Sequence, residues 1–365
     1  MKLFVCTSCS NLVYFENRAC ESCGSRLGYF PEAHRVLALE PVADSWISLG
    51  EIKEFRFCAN AEHDACNWLI PADSPDRLCA ACRHNHIIPD LSLDENLSRW
   101  RKLEMARHHM FYGLLRLRLP LETRLEDPAF GLAFDTLVET PGTVVRTGHQ
   151  DGVITLNLAE ADDAIREQRR TELGEPYRTL LGHFRHEIGH YYWARLVYDG
   201  GPLDAYRDCF GDEQLDYNQA LQDYYANGAP ADWRERYVSA YASSHPWEDF
   251  AETWAHYLHI VDTLEMAGSF GLRVNPVVTD DVSYRSAVDF DPYTAVNIEQ
   301  LVQRWLPIAS AVNNINRCMG QPDLYPFVLT AAVIHKLGFV HDLIRHAIHS
   351  VIEPSKEPAG EIQAA

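Results

Sequence analysis

His186-Glu187-Ile188-Gly189-His190 sets two imidazoles four residues apart with a carboxylate between them. On an α-helix, positions i and i+4 project from one face, so both rings can reach a single Zn²⁺ at about 2.0–2.1 Å. Glu187 then stands beside the metal without occupying it. It is placed to take a proton from a zinc-activated water and pass it to a leaving amine. Zinc lowers the pKa of such a water to about 7, so the expected chemistry is hydrolysis of a peptide bond near neutrality, with Glu187 as general base. Three fixed residues are a short pattern that chance supplies often. Here Ile188 and Gly189 are apolar or small, as a buried helix requires, and a strand-rich stretch precedes the motif.

A catalytic zinc of this kind needs a third protein ligand. The extended form HExxHxxGxxH is absent, because Tyr191–Leu196 has neither the glycine nor the histidine in place. A later segment, Ser243–His256, supplies acids instead: Glu248 and Glu252 are one helical turn apart, with His256 a turn beyond. Acids among Phe250, Ala251 and Trp254 are costly to bury unless paired or metal-bound. Glu248 is the expected ligand and Glu252 the partner orienting a ligand histidine, with the reverse assignment left open.

With these residues in view, the chain resembles the gluzincin metallopeptidases, whose third ligand is a glutamate on a second helix. It is most similar to the branch containing anthrax lethal factor and the Pro-Pro endopeptidases, whose second motif reads Glu-x-x-Ala-Glu. Glu248-Asp-Phe-Ala-Glu252 matches that form. The resemblance carries Glu248 over as ligand and implies a tyrosine seven residues earlier that stabilises the oxyanion, the position of Tyr241. Such a donor contributes roughly 3–4 kcal/mol in comparable sites. Among 17 tyrosines, with Tyr237 one turn away on the same expected helix, packing is the competing role for Tyr241.

Eight of the ten cysteines fall in the first 82 residues. Cys6-x-x-Cys9 and Cys20-x-x-Cys23 form two knuckles, the pattern of a tetrahedral four-thiolate structural zinc site, with iron as the main competitor. Cys79-x-x-Cys82 is a third knuckle, expected to share a second structural metal with Cys58 and Cys66, unless His63, His84 or His86 replaces one thiolate. Cys209 and Cys318 read as buried structural thiols. The whole layout resembles bacterial zinc-binding metallopeptidases that carry an N-terminal zinc-ribbon. Three zinc ions are thus expected, one catalytic and two structural.

The elements that must position these groups are legible in outline. Residues 1–90 are rich in Cys, Gly and short β-like runs such as Arg35–Leu39 and Phe55–Phe57. A main unit, residues 91–350, is expected to open with a long helix after the capping-box pattern Ser92–Glu95. Strands are expected at Leu132–Leu137, Thr143–Thr147 and Gly152–Leu158, the last two joined by a turn at Gly148–Asp151. Gly152–Leu158 is the candidate edge strand for pairing with an extended substrate, an internal strand being the alternative. Helices should follow from Pro176 to Tyr198, Gln214 to Ala226, Pro246 to Ala267 with Gly268 as cap, and Pro326 to Ile348. The Pro/Glu/Ala-rich tail, residues 351–365, reads as disordered. The expected class is α+β: a mainly helical zincin-like domain with a small sheet, preceded by β-rich zinc-ribbon modules.

Composition narrows the partners. A formal charge of −20, from 32 basic against 52 acidic residues, is a poor footprint for nucleic acid. Residues 1–90 alone hold eight Lys/Arg against twelve Asp/Glu. The ribbon region is therefore expected to dock a protein, and the catalytic unit to act on a peptide or protein. No apolar run approaches the ~20 residues of a membrane span. Met1–Cys9 lacks a signal-peptide pattern, so a cytoplasmic location is the default expectation. The competing readings are an SprT-like, nucleic-acid-associated protease, and a zinc-ribbon interaction protein whose HExxH site is weakly active or inactive.

Overall fold

Tyr29 meets Phe4 and Phe15 edge-on, Phe15 meets Trp68 edge-on, and Phe15 and Tyr29 continue onto Tyr112 of the first long helix. The cysteine-rich segment and the helical segment thus share one hydrophobic core, which also takes in Trp100, Phe184, Trp254 and Leu337. A smaller cluster of Phe30, Leu37, Leu39, Phe55 and Leu69 fills the other face of the N-terminal sheet. These features come from a computed structural model that describes residues 1–49, 53–140, 142–172, 175 and 177–352.

The fold is α+β. β1 (Phe4–Val5) and β2 (Leu12–Val13) pair as a hairpin. An antiparallel meander follows: β3 (Arg26–Phe30), β4 (Arg35–Val42), β5 (Ser45–Ser48), β6 (Glu54–Phe57) and β7 (Leu69–Pro71). A second sheet combines β8 (Asn85–Ile87), β9 (Ala133–Leu137), β10 (Gly148–Gln150) and β11 (Val153–Asn157) in the order β10-β11-β9-β8, with only β10 antiparallel to its neighbour. β12 (Arg273–Val274) and β13 (Ser286–Ala287) form a last short pair.

The helices are α1 (Asp94–Arg116), α2 (Asp163–Glu172), α3 (Leu180–Trp193), α4 (Leu203–Phe210), α5 (Tyr217–Asn227), α6 (Trp233–Arg236), α7 (Pro246–Ser269), α8 (Ile298–Cys318) and α9 (Ala331–Ile352). None among the described residues is long and apolar enough to cross a membrane. α7 runs through the centre, packed against α3, α8 and α9. α3 and α7 come close at Gly189, where an added Cβ would lie 2.9 Å from Ala251 Cα. On the other flank Lys336 of α9 reaches the buried Asp249 at 2.5 Å and fastens the first turn of α7.

Several local expectations are corrected. Ser92 does not cap α1; its hydroxyl and amide both bond Asp90 Oδ1, and no side chain caps the helix. Thr143–Thr147 forms no strand. The hairpin turns instead at Asp151-Gly152, with φ of 48° and 82°, the sign that a two-residue primed turn demands. This pulls the strand forward to Gly148–Gln150 and makes Val153–Asn157 an internal strand, so the edge on that side of the sheet belongs to β10 and the opposite edge to β8. α3 begins at Leu180, capped by Thr179 Oγ1 on Gly182 N at 3.0 Å; the expected start at Pro176 lies outside the described residues. α7 passes through Gly268, and the left-handed residue that follows it is Gly271. The last helix starts five residues late, at Ala331, and runs to Ile352. Most of the expected tail, 353–365, lies outside the described residues. Cys318, at the end of α8, is exposed and Cys209 half-buried, so neither is the fully buried thiol expected.

Candidate metal centre and active site

α3 carries His186 and His190 onto the face that meets α7, where Glu248 sits in the first helical turn. The three side chains converge, with one ligand atom from each lying within 4.8 Å of the others. His186 Nε2 and His190 Nε2 are 3.2 Å apart; Glu248 Oε2 is 3.0 Å from the first and Oε1 3.5 Å from the second. Three ligand atoms around a tetrahedral zinc at about 2.0–2.1 Å stand about 3.3 Å from one another, so the spacing suits that ion. Glu248 Oε2 is buried without a hydrogen-bond partner, a costly arrangement that a cation between the rings would relieve. Burial works against the Glu248 charge, yet His190 and His186 hold its pKa well below the usual carboxylate value.

Around this centre each side chain has a definable place. Glu252, one turn on from Glu248, accepts from His186 Nδ1 at 2.8 Å, which fixes that ring and leaves Nε2 facing inward. Its other oxygen accepts from Ser239 Oγ at 2.6 Å. Glu187 is buried, and burial raises its pKa above the ordinary carboxylate value, the direction a general base near neutrality requires. Tyr241 lies on a 3₁₀ turn, Tyr241–Ser243, rather than on a helix shared with Tyr237, and its ring is 5.9 Å from that of His186. Trp247 packs on the His190 ring at 4.5 Å. Tyr217 donates to Glu248 Oε1 at 2.8 Å. His256, although on the stripe of Glu248 and Glu252, is turned to Tyr325 and Phe327.

The two cysteine groups also converge. Cys6, Cys9, Cys20 and Cys23 form one cluster and Cys58, Cys66, Cys79 and Cys82 the other. Sulfurs about 2.3 Å from a tetrahedral zinc are about 3.8 Å apart. The observed separations are 3.8 Å for Cys6–Cys23, 3.6 Å for Cys9–Cys20 and 3.8 Å for Cys66–Cys79. In the first cluster Cys9 and Cys23 face solvent; in the second all four thiols are buried. None of His63, His84 or His86 joins the second cluster. His84 Nδ1 bonds Leu132 O, His86 bonds Asp135, and the His63 ring lies by Trp100. The nearby imidazole comes instead from α1: His108 Nε2 is 3.3 Å from Cys66 Sγ and 3.5 Å from Cys82 Sγ. Its Nδ1–H is committed to Glu104 O at 2.6 Å.

A family model described as "Putative zinc-binding metallo-peptidase" matches residues 96–343. The chain belongs to that family. A zinc-ribbon domain model matches residues 3–93 and contains both cysteine clusters. Two relatives, from Mycobacterium tuberculosis and Mycobacterium bovis, each named only as an uncharacterized protein, are 41% identical over 360 residues, covering 98% of this chain and 98% of theirs. No solved structure matches. The metallopeptidase match spans α3 and α7, and zinc binding is the property common to both family models.

Tyr217, Ser239 and His108 were not among the residues singled out from sequence. No motif spacing links them to the groups they touch, although Tyr217 opens a helix just after the helix-capping Asp216.

Proposed function

We propose that the chain is a zinc-dependent endopeptidase of the gluzincin kind, akin to the lethal factor and Pro-Pro endopeptidase branch. His186, His190 and Glu248 hold the catalytic zinc, and two further zinc ions are structural. The observation that carries this reading is the convergence of His186 Nε2, His190 Nε2 and a buried, unpartnered Glu248 oxygen at 3.0–3.5 Å, with a buried carboxylate, Glu187, next to His186. When bound, zinc acidifies a water to a pKa of about 7 and polarises the scissile carbonyl. Glu187 takes the proton of the attacking water and delivers it to the leaving amine. Glu252, held by Ser239, keeps His186 in one tautomer. Tyr241 donates its phenol to the developing oxyanion, and the free edge of β10 offers backbone groups to an extended peptide. Residues 1–90 form a ribbon module that docks a protein, and residues 91–350 the catalytic unit.

The test is to identify new peptide termini in a proteome treated with zinc-loaded wild type or with zinc-loaded Glu187→Ala. Glu187→Ala should keep its zinc and lose the cleavages. Cleavage at an unchanged rate by that variant refutes the mechanism.

A further inference from the structure

The Glu248 carboxylate is held from two sides. Oε2 lies 3.0 Å from His186 Nε2, while Oε1 accepts a 2.8 Å hydrogen bond from the hydroxyl of Tyr217, 31 positions earlier in the chain. The Tyr217 ring stands edge-on to His245 at 5.3 Å and to Trp247 at 5.8 Å between centroids, and Trp247 covers the His190 ring. Further along α5, Tyr224 stands edge-on to Tyr241 at 5.8 Å, and none of the helix's residues is fully buried. A helix with so little apolar packing nevertheless directs its first side chain onto a candidate metal ligand.

A carboxylate can bind zinc through one oxygen or through both. A phenolic O–H on Oε1 engages that oxygen and leaves Oε2 as the metal-facing atom. We propose that Tyr217 is a positioning residue that restricts Glu248 to coordination through one oxygen and thereby keeps a position on the metal open for water and substrate. The inference rests on Glu248 being a zinc ligand. It separates the work of two tyrosines: Tyr241, whose ring neighbours His186, is the candidate oxyanion donor, whereas Tyr217 acts through Glu248.

Competition between the full-length protein and a chromogenic chelator, with zinc alone as the ligand, reads the affinity of the chelator-labile site. Wild type, Tyr217→Phe, Tyr241→Phe and Glu248→Ala are compared. Removing such an outer partner weakens metal binding about 10- to 100-fold, so Tyr217→Phe should fall in that range while Tyr241→Phe stays within about twofold of wild type. Glu248→Ala should lose the site. Wild-type affinity in Tyr217→Phe overturns the proposal. Wild-type affinity in Glu248→Ala overturns the ligand assignment beneath it. Thermal unfolding with the labile zinc removed gives the second readout. Equal midpoints for wild type and Tyr217→Phe are expected, and a lower midpoint for Tyr217→Phe would make the tyrosine a support of the fold and sink the proposal.

Discussion

At the scale of single residues, α7 shows how one helix face divides its labour. Glu248 turns to the histidines of α3, Glu252 to His186 Nδ1, and His256 to the hydroxyl of Tyr325 at 2.8 Å. Burial pushes the pKa of His256 down from 6.5 to about 4, so the ring is neutral at physiological pH. A folded-state pKa below the unfolded one means a stabilising contribution that is complete above about pH 6.5 and lost as pH falls through about 4. Unfolding by urea should therefore give a stability gap between wild type and His256→Gln that narrows by about 2 kcal/mol from pH 7 to pH 4.5. A gap independent of pH would contradict this. His186, His190, Glu248 and Glu252 were legible because four-residue spacing on a helix fixes which side chains share a face. Ser239, Tyr217 and His108 were not, since each reaches its partner across a loop or between segments 13 to 42 residues apart. Tertiary placement of that kind leaves no periodicity to read.

Among the elements, the crossing of α3 and α7 matters most, and Gly189 permits it. Replacing glycine with alanine inside a helix gains about 1 kcal/mol of propensity, whereas overpacking costs roughly 1–3 kcal/mol. Because the atom 2.9 Å away is the Cα of Ala251, relief requires the helices to part. Gly189→Ala should accordingly weaken labile zinc binding at least about tenfold, as ligands on the two helices separate. Binding at wild-type strength would show that this contact does not set the site. The two motif helices were visible in the sequence, as were α5 and the start of α1. The second sheet departs from the expected Thr143–Thr147 strand because the Asp151-Gly152 turn dictates the register. α8 is not legible in the sequence, because Pro307 sits in its interior, where it removes a backbone hydrogen bond and ordinarily argues against a continuous helix.

For the molecule as a whole, the two cysteine clusters differ in exposure and therefore in expected behaviour. The first presents Cys9 and Cys23 to solvent; the second is wholly buried and abuts α1 through His108 and the Glu104–Arg107 pair. The sequence divides by composition near residue 90, yet the core runs without a break from Phe4 and Trp68 through Trp100 to α7. That continuity was not legible, since the aromatics that build it carry no pattern linking the two segments. Four-thiolate sites are closed, while a catalytic zinc keeps an open position and exchanges more readily. Counting zinc in the purified chain before and after brief exposure to a chelator, alongside peptide cleavage, distinguishes one open zinc site from two closed ones. About three zinc ions are expected before and about two after, with cleavage lost on chelation and restored by one equivalent of zinc. Two ions before and after, with no zinc taken up by the chain and cleavage absent or untouched throughout, would contradict a catalytic zinc.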